Sequence, residues 1–200
     1  MEKMDKTLSD QLDQTYEILD KALYSYELFK GLDLYFKKIN KAIYDPYEAE
    51  FWRYVSDNSI QMFAVQWNKV FGAYHNNEST HYTNLILAED FEYRLRIKGV
   101  DFSGTIKDMK IFRSKYVAHK DEKDFAVPYF YRPVKIIHEF DSAIREKHDE
   151  ARRRDYLNLE GHHEAYRIRV EDYLVQKQIL SDNDIEEPKY GFEFQSFSNS

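Results

Sequence analysis

The sequence predicts an all-α protein, an up-and-down helical bundle of about six helices. Two observations lead there. Apolar residues recur at steps of three and four along most of the chain, which is the signature of helices that bury one face. Only six glycines and four prolines occur in 200 residues, too few for the turns of a β-rich architecture.

Leu8, Leu12, Tyr16, Leu19, Leu23 and Tyr26 form the first stripe, with Thr7 or Ser9 available as its cap. Gly31 is expected to interrupt it, and a shorter amphipathic turn through Leu34, Phe36 and Ile39 follows. Asp45-Pro46 marks the next start. From Tyr47 to Tyr74 the residues Phe51, Tyr54, Val55, Ile60, Phe63, Ala64, Trp67, Val70 and Phe71 give a central helix, with a bend expected at 56–59. Asn76-Asn77 closes it, Ser79 or Thr80 caps a new turn, and Phe91, Tyr93, Leu95 and Ile97 lead to a stop at Gly99.

Ser103 opens a segment of about five turns carrying Ile106, Met109, Phe112, Tyr116 and Val117. It runs into the charged break Asp121-Glu122-Lys123-Asp124. Pro128 and Pro133 suit a first helical position, and Val134, Ile137, Phe140 and Ile144 define a helix expected to continue as a charged rod to about Asp155. Gly161 is expected to divide this rod from a last helix with Tyr166, Val170, Tyr173 and Leu174. Residues 1–180 therefore read as one helical-bundle domain. Residues 181–200, with Pro188, Gly191 and several Ser and Asn, lack a period and read as a C-terminal arm or flexible tail.

Composition narrows the function. No cysteine is present, which removes disulfides, thiolate metal sites and cysteine nucleophiles and fits a reducing compartment. No uncharged run approaches a membrane span, and the start Met1-Glu2-Lys3-Met4-Asp5-Lys6 has no apolar signal core, so a cytoplasmic protein with no membrane partner is expected. Lys and Arg number 29 against 36 Asp and Glu, a net charge of −7 that argues against a general polyanion binder. The 17 Tyr and 14 Phe fall at helical spacing and read as core residues whose hydroxyls sit at its edge. No Gly-rich phosphate loop is present, which disfavours the common nucleotide hydrolases.

One stretch carries chemistry: Lys110-Ile111-Phe112-Arg113-Ser114-Lys115-Tyr116-Val117-Ala118-His119-Lys120-Asp121, with five residues between Arg113 and His119. It resembles the Arg-x(4–6)-His motif of HEPN-domain proteins. Trp67-Asn68-Lys69-Val70-Phe71-Gly72, Thr80-His81-Tyr82 and the Ala118-His119-Lys120-Asp121 ending look like the abortive-infection branch of that superfamily. The resemblance spans about residues 8–150. It implies a dimerising bundle with two motifs sharing a cleft, and a metal-independent endoribonuclease activity without a cofactor. The biological setting it implies is a toxin or phage-defence effector, with an antitoxin or a nucleotidyltransferase as a candidate partner.

The residues themselves suit that chemistry. An imidazole titrates near pH 6.5, so His119 can take a proton from a ribose 2′-hydroxyl or return one to the leaving 5′-oxygen. The permanently charged fork of Arg113 can hold the phosphate as charge builds on the phosphorane. The products would be a 2′,3′-cyclic phosphate and a 5′-hydroxyl. In a continuous helix six residues turn through roughly 600°, leaving the two side chains about 120° apart. Either the helix ends or distorts before His119, or the working pair combines two protomers. Between 103 and 123 six basic residues stand against three acidic ones, so Lys110, Lys115 and Lys120 are candidate RNA contacts while Ser114 and Asp121 would orient the pair.

Blander alternatives exist for each. Arg113 can pair with Asp108 or Asp121, and His119 can simply sit at a helix C-terminus. The bundle would then be a non-catalytic HEPN-like module that binds a partner protein or a nucleotide. Family members often carry Asn, Asp or His where Ser114 stands, and in a nucleotidylated subset a tyrosine where Asp121 stands, so control by that modification is not expected. His162-His163-Glu164 and the set His75, Glu78 and His81 lack the spacing of a zinc site and read as surface residues, so no metal is expected. Arg152-Arg153-Arg154 reads as a solvated face, and Trp52 and Trp67 as core or dimer-interface anchors.

Overall fold

A computed structural model describes residues 2–38, 46–73, 80–114, 129–148 and 158–176. Among these, every regular element is helical: α1 (Glu2–Lys38), α2 (Pro46–Phe71), a short 3₁₀ turn (Tyr82–Asn84), α3 (Ala88–Ile97), α4 (Phe102–Phe112), α5 (Tyr131–Lys147) and α6 (Leu159–Gln176). The all-α helical bundle read from the sequence is what the chain forms. None of the described helices is long and apolar enough to cross a membrane. The expected tail at 181–200 lies outside the described residues.

Two long helices make the frame. Leu12, Tyr16, Leu19 and Leu23 bury one stripe of α1, and Phe63, Trp67, Val70 and Phe71 bury the matching stripe of α2. The two run antiparallel, because Tyr26 meets Phe63 while Leu32 lies in one cluster with Trp52 and Val55. α5 runs against α1, with Tyr16 donating to Asp141 at one end and Phe29 facing Phe130 at the other. Trp67, Phe63, Phe71, Phe91, Phe112 and Phe140 are essentially inaccessible. Each such ring contributes roughly 2 kcal/mol through burial, and edge-on contacts such as Phe71 on Phe140 fix their orientation. Trp67 is a core anchor, with its indole N–H donating to the Pro133 carbonyl at 3.1 Å.

The helix ends follow local chemistry. Pro46 opens α2 at a position where no N–H is needed. Gly99, at φ +68°, closes α3: Val100 N–H donates to Leu95 O and Gly99 N–H to Arg96 O, the paired bonds of a Schellman turn. The cap of α4 is Asp101 rather than Ser103, its carboxylate accepting from Gly104 N–H at 2.9 Å. α5 stops at Lys147, short of the rod expected to reach Asp155; His148 bonds the Leu85 carbonyl there, and 149–157 lie outside the described residues.

Two glycines depart from their expected roles. Gly161 lies inside α6, its N–H held by the Asn158 side chain. Gly31 does not interrupt α1, which continues through it to Lys38. A Cβ placed there would sit 2.7 Å from Leu174 Cδ1 and 2.8 Å from Val170 Cγ1, so the missing side chain is what lets α6 seat against α1. Leu32, Val170 and Leu174 form a small second core at this crossing, with Trp52 and Val55 against it. Replacing Gly31→Val should therefore destabilise the fold by about 1–3 kcal/mol through overpacking, measured as a lower urea midpoint. An unchanged or raised midpoint would show that the crossing is loose.

Candidate functional site

α4 carries the motif to the surface. It buries Phe102, Thr105, Met109 and Phe112 on one side and leaves Lys107, Asp108, Lys110 and Arg113 exposed on the other. Asn68 ties it to α2 by donating to the carbonyls of Ala64 and Met109. Regular α-helix ends at Phe112, and Arg113 and Ser114 enter a wider π-type turn in which the Ser114 hydroxyl donates to Ile111 O at 3.1 Å. Arg113 itself keeps helical dihedrals, φ −57° and ψ −46°, with its N–H on the Lys110 and Met109 carbonyls. Lys115, His119, Lys120 and Asp121 lie outside the described residues, so the meeting of Arg113 with His119 is not seen.

The environment of Arg113 differs from that of three half-buried arginines. Arg94 on α3 holds Glu139 at 3.1 Å, Glu146 at 2.7 Å and the Ser142 hydroxyl. Arg145 holds Asp141, and Arg167 holds both Glu164 and Glu171. Of the two alternative partners for Arg113, Asp108 does not pair with it and Asp121 lies outside the described residues; the Arg113 guanidinium is exposed, with no carboxylate on it among the described residues. Phe112 fixes the position of this end, because its ring lies 5.3 Å from that of Phe130, which in turn meets Phe29 and Phe63.

The histidines read as surface residues divide differently. His81 is buried and caps the 3₁₀ turn: Nε2–H donates to Gly72 O at 2.9 Å while Nδ1 accepts from Thr83. Burial keeps its pKa below the usual range, so the ring stays neutral. His75 and Glu78 lie outside the described residues. His162 and His163 are not loose surface groups, because both face α1. His162 Nδ1 lies 2.8 Å from Asp20, which also accepts from the Tyr166 hydroxyl at 2.6 Å. Burial, followed by the bond to Asp20, pushes the Tyr166 phenol up to about 12.

His163 joins three helices. Its Nε2 lies 2.6 Å from the buried Glu27 carboxylate on α1, and its Nδ1 lies 3.0 Å from His138 Nε2 on α5. Glu27 also has Lys30 at 3.6 Å. Proton bookkeeping fixes the neutral form: His163 donates to Glu27, so His138 must donate to His163. One extra proton on His163 is tolerated if His138 changes tautomer. A second would set two cations face to face. Glu27 and His138 occupy opposite nitrogens of the same ring, so they do not converge on a metal position, and no three such groups do so among the described residues.

Burial, then the neighbouring His163 charge, lowers the His138 pKa to about 4. The folded chain thus binds fewer protons at His138 than the unfolded chain between pH 6.5 and 4. The resulting stability is present above pH 6.5 and is lost as pH falls through that window, by about 2 kcal/mol between pH 7 and 5. Urea titrations should show a steeper acid loss for the natural chain than for His138→Gln. Parallel pH profiles would rule out the assignment.

The sequence missed this seam because nothing within a single chain pairs Asp20 and Glu27 with residues some 140 positions away. The one local hint is that the two carboxylates stand seven apart, two turns along one face of α1. No family model, no curated protein and no solved structure matches this chain, so its chemistry has to be read from its own side chains.

Proposed function

We propose that the chain is a HEPN-like, metal-independent endoribonuclease that cleaves RNA by attack of the ribose 2′-hydroxyl, acting in the cytoplasm as a toxin or phage-defence effector. The observation that carries the proposal is Arg113: an exposed guanidinium at the C-terminal end of α4, without a carboxylate among the described residues, on a helix whose exposed side also carries Lys107 and Lys110. In this reading Arg113 holds the scissile phosphate and His119 exchanges protons with the 2′- and 5′-oxygens. Lys110, Lys115 and Lys120 attract the strand. The Ser114 hydroxyl, with its proton on Ile111 O, keeps oxygen lone pairs for an approaching donor. Asp121 fixes the imidazole tautomer. An antitoxin partner would act on this same end of the bundle.

Shared use of two motifs requires a dimer, and α2 offers a surface for it. Phe51 is 57% exposed, Tyr54 66% and Met62 47%, at helical steps along one face. Packing that face against a second copy would remove several large apolar side chains from water at once.

Purified protein incubated with total RNA in the presence of EDTA should cut it, and Arg113→Ala and His119→Ala should each lower the rate at least about 100-fold. Substrates with 2′-deoxyribose at the scissile position should resist. Equal cleavage by variants and natural chain, or none at all, overturns the nuclease and leaves a binding module. In solution the natural chain should have the mass of a dimer, and Phe51→Glu with Tyr54→Glu should convert it to a folded monomer; a natural chain that is monomeric at tens of micromolar overturns the α2 interface.

A further inference from the structure

Of the eighteen residues of α6 only Leu159, Val170 and Leu174 are buried, whereas α5, one residue shorter, buries eight. A helix with so little apolar contact opens at low free energy, ahead of the rest of the fold. What completes its seat is polar. His163 sits between Glu27 on α1 and His138 on α5, 2.6 and 3.0 Å from them, and Asp20 on α1 takes His162 and the Tyr166 hydroxyl. The junction accommodates one extra proton and no second. With both imidazoles charged, His163 and His138 would each aim an N–H at the other across 3.0 Å, with no lone pair between them.

The charged groups acting on His138 come from three helices. Burial and the His163 charge disfavour its cation; Glu160 on α6, Glu139 on α5 and Glu27 on α1 favour it to a smaller extent, and the balance leaves its pKa at about 4. Glu139 is already engaged by Arg94 at 3.1 Å and Glu27 by Lys30 at 3.6 Å. The Tyr26 ring, 6.0 Å from that of His163, closes the α1 side.

We propose that α6 is a proton-gated latch: a second proton on the His138–His163 pair releases this helix from α1 and α5 while the core of α1, α2 and α5 stays folded. The proposal is independent of Arg113 and of the nuclease reading. Once α6 is released the imidazoles face water and titrate near their ordinary value, so the open form takes up the proton that the closed form refuses. Opening therefore rises as pH falls from 6.5 toward 4, by about twentyfold between pH 7 and 5 for one such histidine. Release bares Leu32, Trp52 and Val55, which pack with Val170 and Leu174 in the closed form. The Trp52 ring meets that of Phe51 edge-on at 5.1 Å, so the bared surface is continuous with the exposed face of α2. The latch thus governs how much apolar surface this side of the bundle presents.

Hydrogen–deuterium exchange of the full natural chain, read by mass spectrometry between pH 7 and 5 and divided by the intrinsic exchange rates, tests the latch. Peptides of α6 should lose protection about twentyfold over that range, while peptides from 60–71 of α2 keep theirs. His138→Gln, which still donates to His163 but cannot take the proton, should flatten the loss in α6. Loss of protection in α6 and α2 by the same factor overturns the proposal and makes the acid effect global, and unchanged protection of α6 overturns it as well. Both outcomes are read on the natural chain, whether or not the variant folds. A loss in α6 that persists in folded His138→Gln overturns His138 as the gate.

Discussion

The contact between Phe112 and Phe130 is the constraint on which the α4 end of this molecule depends. It ties the last turn of α4 to the first turn of α5, and through Phe29 and Phe63 it ties both to the long α1–α2 pair. A buried ring pair of this kind contributes a few kcal/mol through burial and edge-on geometry. Its positional consequence matters more. Phe112 is buried while the next residue, Arg113, is exposed, so the ring anchors the turn that carries the guanidinium.

At the other side of α1 the fold is held differently. α6 reaches the bundle through a small apolar cluster around Leu32, Val170 and Leu174, set close by the missing side chain of Gly31. The remainder of the crossing is polar, with Asp20 and Glu27 receiving His162, Tyr166 and His163. Buried ionisable groups add little net stability once desolvation is counted, but breaking one partner is costly. Such bonds fix the rotation and height of α6 against α1, because a slip by one turn would leave Glu27 in the core without its imidazole. The apolar cluster supplies attraction and the histidines supply register.

How much of this was legible in the sequence depended on whether the signal was local. Stripes such as Leu12, Tyr16, Leu19 and Leu23, the Pro46 start and the Gly99 stop are written in neighbouring residues, and the helices formed where those residues said. Gly31 and Gly161 misled because glycine marks either a break or a close approach, and only the neighbouring helix decides which. The end of α5 at Lys147 depends on His148 finding the Leu85 carbonyl, a partner 63 residues away. Within the candidate site, Lys110 and Arg113 were legible as exposed basic residues, since the apolar face of α4 fixes where the other face must be.

The net charge of an acidic protein does not by itself decide what an anion meets at one end of it. The net charge of −7 is spread over a surface several Debye lengths across, and at physiological salt that length is about 8 Å, so distant carboxylates are screened from a phosphate at α4. What the phosphate meets is local. Arg94, Arg145 and Arg167 each hold carboxylates, and those bonds cost the bundle no positive charge at the α4 end. Among the described residues of this end, Lys107, Lys110 and Arg113 are exposed and Asp108 does not bridge to Arg113.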